Sequence, residues 1–102
     1  MLVNALLSLV ATTSCELPLS ALSPISGEPP HLISELPHPE VVVVLDVAVS
    51  PDGAVASARV ACSSSEKRIF AYAALNSVRR WRFEAAGEHY AGAVVLRFPA
   101  RR

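Results

Sequence analysis

A valine-rich run followed directly by a tight-turn signal constrains the fold of this chain more than any other feature. The run extends from Val41 to Val49, and the next four residues are Ser50-Pro51-Asp52-Gly53. A β-branched run of this length predicts a buried central strand. Proline sets φ at the second turn position and glycine accepts the left-handed conformation, so the sequence predicts a short hairpin.

The second arm of the hairpin is predicted from Ala54 to Cys62. Alternation along this arm places one set of side chains on the same face, namely Ala56, Ala58, Val60 and Cys62. This parity directs the Cys62 side chain inward. We therefore expect a buried free thiol at that position.

A helix is predicted after the hairpin. Ser63, with Glu66 three residues later, forms the pattern of a capping box, which satisfies the free amides of a first helical turn. Apolar residues then recur at three- and four-residue spacing as far as Trp81. Arg79 and Arg80 are expected in the last turn, where positive charge complements the helix dipole. The residues on the apolar face are Phe70, Ala73, Ala74, Ser77, Val78 and Trp81.

A third strand is predicted close to the C-terminus. Residues from Tyr90 to Phe98 alternate between an apolar and a mixed face, after a loop around Gly87. Pro99 lacks a backbone donor and ends the strand. The predicted order of elements is β-β-α-β, in the α+β class.

The first 40 residues carry signals that differ from the rest of the chain. Leu2 to Val10 is mostly apolar and is followed by small residues up to Cys15, a pattern that resembles a secretory signal and includes a candidate lipid-accepting cysteine. The apolar run is too short to span a bilayer, so we expect no permanent transmembrane anchor in the chain as given. Residues 16–40 are rich in proline and are expected to form a tether.

Charge is distributed unevenly along the chain. Residues 1–58 contain six acids and no Lys or Arg, whereas residues 59–102 contain nine bases and three acids. A basic half is most often a solvated face, and in some proteins it binds nucleic acid or an anionic surface. We keep that binding as the alternative function, although we expect no nucleic-acid partner. The residues it would use are Arg79, Arg80, Arg82, Arg101 and Arg102.

No constellation of catalytic or metal-binding residues stands out in the sequence. There is no nucleophilic side chain paired with a general base, no phosphate-binding loop and no pair of carboxylates at a recognised spacing. Cys15 and Cys62 are not in a C-x-x-C motif, and His31, His38 and His89 lack the spacing of metal ligands. We therefore expect binding rather than catalysis, with no metal, no cofactor and no small-molecule substrate.

Several of these motifs occur together in one known family. The valine-rich strand, the Pro-Asp-Gly turn, the pair Ser63-Ser64 and the sequence Trp81-Arg82-Phe83 follow one another at a characteristic spacing. In this combination the chain resembles the TonB C-terminal domain family over about Val41 to Phe98. The resemblance implies a three-stranded antiparallel sheet with the helix on one face, in a periplasmic or envelope protein of Gram-negative type. It also implies pairing of the last strand with a short segment of an outer-membrane receptor, which transmits energy for transport.

The position of the third strand suggests how such a domain binds. If the closing strand pairs with the first, the strand order is 2-1-3 and the third strand has a free edge. A partner segment can add to that edge through main-chain hydrogen bonds, and a second copy of the chain could do the same and form a homodimer. The expected partner-binding residues are Tyr90, Ala91, Gly92, Ala93, Val94, Val95, Leu96, Arg97 and Phe98. The expected structural core residues are Phe70, Ala74, Val78, Trp81 and Phe83.

Overall fold

A computed structural model describes residues 15–30 and 37–102 of the chain. The signal-like segment predicted over residues 1–15 lies outside the described residues except for Cys15. Within them, the elements are strands β1 (Val41–Val49) and β2 (Val55–Ser63), helix α1 (Arg68–Val78) and strand β3 (Tyr90–Phe98). No helix among the described residues is long and apolar enough to cross a bilayer.

The three strands form one antiparallel sheet in the order β2-β1-β3. The predicted α+β fold, with its β-β-α-β order and central first strand, is therefore confirmed. The turn between β1 and β2 closes as its sequence predicts. Gly53 has a φ of 92° and donates its amide to the Ser50 carbonyl at 2.9 Å, and the Ser50 amide donates to the Ala54 carbonyl at 2.8 Å. Glycine reaches this conformation without the steric cost that a Cβ imposes.

The core lies between one face of the sheet and α1. From β1, alternate residues from Val41 to Val49 are buried on this face, and from α1 the buried residues are Phe70, Ala74 and Val78. The Phe70 and Phe98 rings meet edge to face with centroids 5.3 Å apart, a geometry that aromatic quadrupoles favour. Trp81 and Phe83 are also buried, so the structure places all five of the expected core residues in the core.

Irregularities in β2 change which face its later residues occupy. The register between β1 and β2 shifts between Val44 and Leu45, because Val44 lies opposite Cys62 whereas Leu45 lies opposite Val60. Ala61 is therefore an extra residue, and one extra residue moves every later side chain to the other face. Cys62 thus lies on the sheet face away from α1.

The prediction of a buried free thiol at Cys62 was therefore wrong. Cys62 is half-buried and forms a disulfide with Cys15, 47 residues earlier in the sequence. The alternation argument failed because it assumed a strand without bulges. A sulfur atom in a disulfide cannot also carry a thioether, so this pairing and lipid attachment at Cys15 exclude each other.

The helix begins later than its sequence pattern predicts. Strand β2 continues to Ser63, and Ser64 extends the ladder by exchanging hydrogen bonds of 2.9 Å with Val42. The helix begins at Arg68, after the N-cap residue Lys67, which makes no capping hydrogen bond through its side chain. The predicted capping box between Ser63 and Glu66 was wrong, because Ser63 is the last residue of β2 and its hydroxyl accepts the Ser65 amide at 3.3 Å.

The helix also ends before its predicted last residue. Its final residue is Val78, so Arg79 is the C-cap and Arg80 follows in a turn. The Arg79 amide still donates to the Leu75 carbonyl at 3.1 Å, and the Trp81 amide donates to the Val78 carbonyl at 2.9 Å. This tight turn directs the chain from the helix back towards the hairpin.

Residues 16–30, which we expected to be part of a tether, and the preceding Cys15 contact the domain at four places. Cys15 is bonded to β2, Leu22 contacts β3, Ser26 pairs with Arg82, and the Glu28 carbonyl accepts from Trp81. The other described part of the predicted tether pairs as well, since His38 and Arg101 exchange backbone hydrogen bonds of 2.9 and 2.8 Å.

Candidate partner-binding edge

The outer edge of β3 presents the backbone groups of alternate residues. In antiparallel pairs, successive residues direct their amide and carbonyl groups to opposite sides of the strand. The amide and carbonyl of Val42 on β1 bond to Ser64 on the β2 side, so they point away from β3. Arg97, which lies opposite Val42 on β3, therefore directs its own amide and carbonyl away from β1. The Ala93 carbonyl, which accepts a hydrogen bond from outside the sheet, has the same parity. The outward-facing residues are therefore Ala91, Ala93, Val95 and Arg97.

Side chains on β3 divide between the two faces in the same alternation. Val94, Leu96 and Phe98 are buried on the face that α1 covers. Ala91, Ala93, Val95 and Arg97 are exposed or half-buried on the other face. The outward backbone groups are thus framed by small or flexible side chains, which leaves room for another extended chain alongside β3.

One segment of the protein already contacts this edge. The Leu22 amide donates to the Ala93 carbonyl at 2.7 Å. The Leu22 side chain packs over Gly92, where a Cβ would lie 2.7 Å from the Leu22 Cγ atom. Among the described residues outside the sheet, Leu22 makes the one backbone hydrogen bond to β3 that the structure records.

Sequence reasoning missed Leu22 and the role of Gly92. A glycine inside a strand often marks a place where another chain approaches closely, so Gly92 was a usable signal. Leu22 itself gives a weak signal, because it lies among prolines and serines, outside any predicted strand or helix. The structure brings the two residues together.

The aromatic and basic sequence after α1 connects this leading segment to the hairpin. The Arg82 amide donates to the Ser26 carbonyl at 3.0 Å, and the Arg82 carbonyl accepts from Ile25 at 2.8 Å. The Phe83 amide donates to the Gly53 carbonyl at 2.8 Å. The backbone at 82–83 therefore lies between the leading segment and the turn.

Trp81 is the main side-chain contact for the leading segment. Its indole Nε1 donates to the Glu28 carbonyl at 2.9 Å, and the Ser77 hydroxyl donates to the same carbonyl at 2.7 Å. Gly27 packs directly on the indole ring, and any Cβ at that position would clash with it. The Trp81 ring is thus a packing platform as well as a part of the core.

The basic residues of the alternative function occupy different parts of the molecule. Arg79 and Arg80 follow the helix, Arg82 lies beside Ser26, and Arg101 and Arg102 are at the end of the chain. Other charges near the sheet are paired: Arg59 with Asp46 at 3.1 Å, and Arg97 with Glu40 at 3.7 Å. These pairs are exposed, so each contributes little to stability.

The described residues contain no group of three or more His, Cys, Asp or Glu side chains arranged to hold a metal ion. What the β3 edge offers chemically is a row of main-chain donors and acceptors. Such groups are strong hydrogen-bonding partners for an extended polypeptide.

Comparison with known protein families identifies a match. A family model described as the Gram-negative bacterial TonB protein C-terminal matches residues 40–99, which is more than half of the chain. The matched range contains all three strands and the helix. No curated protein and no solved structure matches the chain.

Proposed function

The chain belongs to the family of TonB protein C-terminal domains of Gram-negative bacteria, and from this membership and the edge geometry we propose that it recruits a partner by strand addition to β3. Domains of this family are non-enzymatic modules of the cell envelope that take part in energy transduction. The partner we propose is an extended segment of an outer-membrane receptor.

The observation that carries the proposal is the hydrogen bond between Leu22 and Ala93. It supports the view that the outward groups of β3 accept another length of chain, because Leu22 lies outside the sheet and donates its amide to the edge at 2.7 Å. Strand addition obtains its affinity from main-chain bonds of this kind. Each such bond contributes about 0.5–1.5 kcal/mol net.

Partner choice would come from the side chains beside the edge. Val95 and Arg97 lie on the face away from α1, where a partner's alternate side chains would meet them. On the other face, Gly92 leaves a space that an aliphatic side chain fills. A partner segment is therefore expected to be extended and free of proline at the residues that pair with β3.

The test is a proline substitution at an outward-facing position. Val95→Pro removes an amide that points away from β1, so we expect an unchanged fold and at least a tenfold loss of partner affinity, equivalent to about 1.4 kcal/mol. Val95→Ala retains the amide and is the matched control. Affinity is measured by calorimetry with a synthetic peptide from the periplasmic end of a receptor, and the fold by circular dichroism. Equal affinity of the proline variant and the wild type would refute strand addition at this edge.

A further inference from the structure

The segment from Glu16 to Pro30, called the strap below, is fixed at both ends. Its first end is covalent, because the preceding residue Cys15 is bonded to Cys62 on β2. Its second end is held at Arg82 by backbone hydrogen bonds and by the Trp81 indole. β2 and β3 are the two outer strands of the sheet. The strap therefore begins at one outer strand, contacts the other at Leu22, and ends beside Arg82.

Between these two attachments, the strap occupies the edge of β3. Leu22 supplies a backbone amide to the outward carbonyl of Ala93 and an aliphatic side chain to the space over Gly92. Leu22 is also packed against the core of the domain. A main-chain hydrogen bond together with an inserted side chain is the same pair of contacts that strand addition uses.

A partner strand and the strap cannot use this part of the edge at once. Both need the outer side of Ala93, and a partner side chain over Gly92 would meet Leu22. The strap also has an advantage that a separate partner lacks. Because it is part of the same chain and is fixed on both sides of Leu22, its effective concentration at the edge is on the order of millimolar.

We propose that the strap is a built-in competitor for the partner's place on β3, and that the Cys15–Cys62 disulfide fastens it there. This inference rests on the proposed function, because it assumes that a partner adds to this edge. It also specifies the partner, which carries a branched aliphatic residue at the position that Leu22 occupies.

Reduction of the disulfide releases the first end of the strap. A dithiol supplies two electrons and two protons, so Cys15 and Cys62 become free thiols while the dithiol closes to its own disulfide. The strap is then held only at the Arg82 end. Its effective concentration at β3 falls, and a partner displaces it at a lower concentration.

The competition is tested by opening the edge in the full chain. Leu22→Pro removes both the amide and the aliphatic side chain that contact β3. Leu19→Pro makes the same change in the same segment at a fully exposed residue, and it is the matched control. The probe is a synthetic peptide with the sequence of residues 17–26, titrated into 15N-labelled protein and followed by the shifts of the β3 amides.

We expect the peptide to bind the Leu22→Pro variant about tenfold or more tightly than the wild type, since the internal hydrogen bond and side-chain contact no longer compete. The Leu19→Pro variant should match the wild type. Shifts should be largest at the outward amides of Ala91 and Val95. Equal affinity for all three proteins would overturn the inference, and so would shifts confined to residues away from β3.

Val95→Pro separates this inference from the proposed function. If that change abolishes peptide binding while the wild type and the Leu22→Pro variant bind equally, the edge binds chains but the strap does not compete. If Val95→Pro leaves peptide binding to the Leu22→Pro variant unchanged, the proposed function itself fails.

The fastening role has its own measurement, which does not depend on the peptide. Hydrogen exchange at the Leu22 amide is compared in the wild type with and without a dithiol, and in the double variant Cys15→Ser with Cys62→Ser. We expect severalfold faster exchange after reduction and in the double variant, and no response of the double variant to the dithiol. Equal protection of Leu22 in all of these samples would show that the disulfide does not hold the strap.

Discussion

Replacing Trp81 with alanine tests whether the core and the leading segment are stabilised by one side chain. Trp81 is 7% exposed, lies against Gly27, and has its ring centroid 6.3 Å from that of Phe83. Deleting a buried large aromatic side chain costs about 3–5 kcal/mol. The whole stability of a small domain is about 5–15 kcal/mol, so we expect the variant to lose a large fraction of its stability.

A second substitution separates packing from hydrogen bonding at the same position. Trp81→Phe retains most of the apolar volume and loses the indole donor together with the smaller ring. The Glu28 carbonyl would still accept from the Ser77 hydroxyl, so it is not left without a partner. We therefore expect Trp81→Phe to cost clearly less than the alanine variant, with about 1 kcal/mol coming from the lost hydrogen bond.

The assay for both variants is urea denaturation followed by far-ultraviolet circular dichroism, with the free energy of unfolding obtained by linear extrapolation. Wild-type stability of the Trp81→Ala variant would refute the reasoning, because a residue in the core cannot be removed without cost. If instead Trp81→Phe were as unstable as Trp81→Ala, the hydrogen bond and not the packing would dominate.

Two further predictions concern the turn and the disulfide. Gly53→Ala should lower the melting temperature of the domain by more than Gly87→Ala does. Both glycines have positive φ, of 92° and 78°, but a Cβ at residue 53 would clash with the backbone at Phe83, whereas one at residue 87 meets nothing. Equal melting temperatures would show that the clash relaxes freely. Replacing Cys15 and Cys62 together by serine should lower the free energy of unfolding by up to about 4 kcal/mol, which is the chain-entropy value for a loop of this length. A double variant as stable as the oxidised wild type would contradict a disulfide between these two residues.

The strands were the most predictable part of the fold. β1 and β3 have the bounds that their sequences predict, because β1 is a valine-rich run and apolar residues alternate in β3. The turn was equally clear, since Pro51 and Gly53 each have a specific role in it. In β2 the alternating residues include several alanines, which do not distinguish the faces, and the extra residue Ala61 could not be located without the opposing strand.

The site was less predictable than the fold. The position of β3 at one side of the sheet followed from the order of the strands, and the outward parity of Val95 then follows from the register with β1. The contact by Leu22 was not predicted, because a single leucine among prolines and serines has no periodic pattern that assigns it to a strand edge. The disulfide was missed for a related reason: Cys15 is far from Cys62 in sequence, and pairing depends on how the chain crosses the sheet.

Amide hydrogen exchange along β3 tests the central claim most directly. The rates at Val94, whose groups face β1, and at Val95, whose groups face outward, are measured with and without a receptor segment. Strand addition predicts that exchange at Val95 slows by at least tenfold when the segment binds, while Val94, already bonded within the sheet, changes little. Protection that develops on α1 or at the chain end, with Val95 unchanged, would contradict the account.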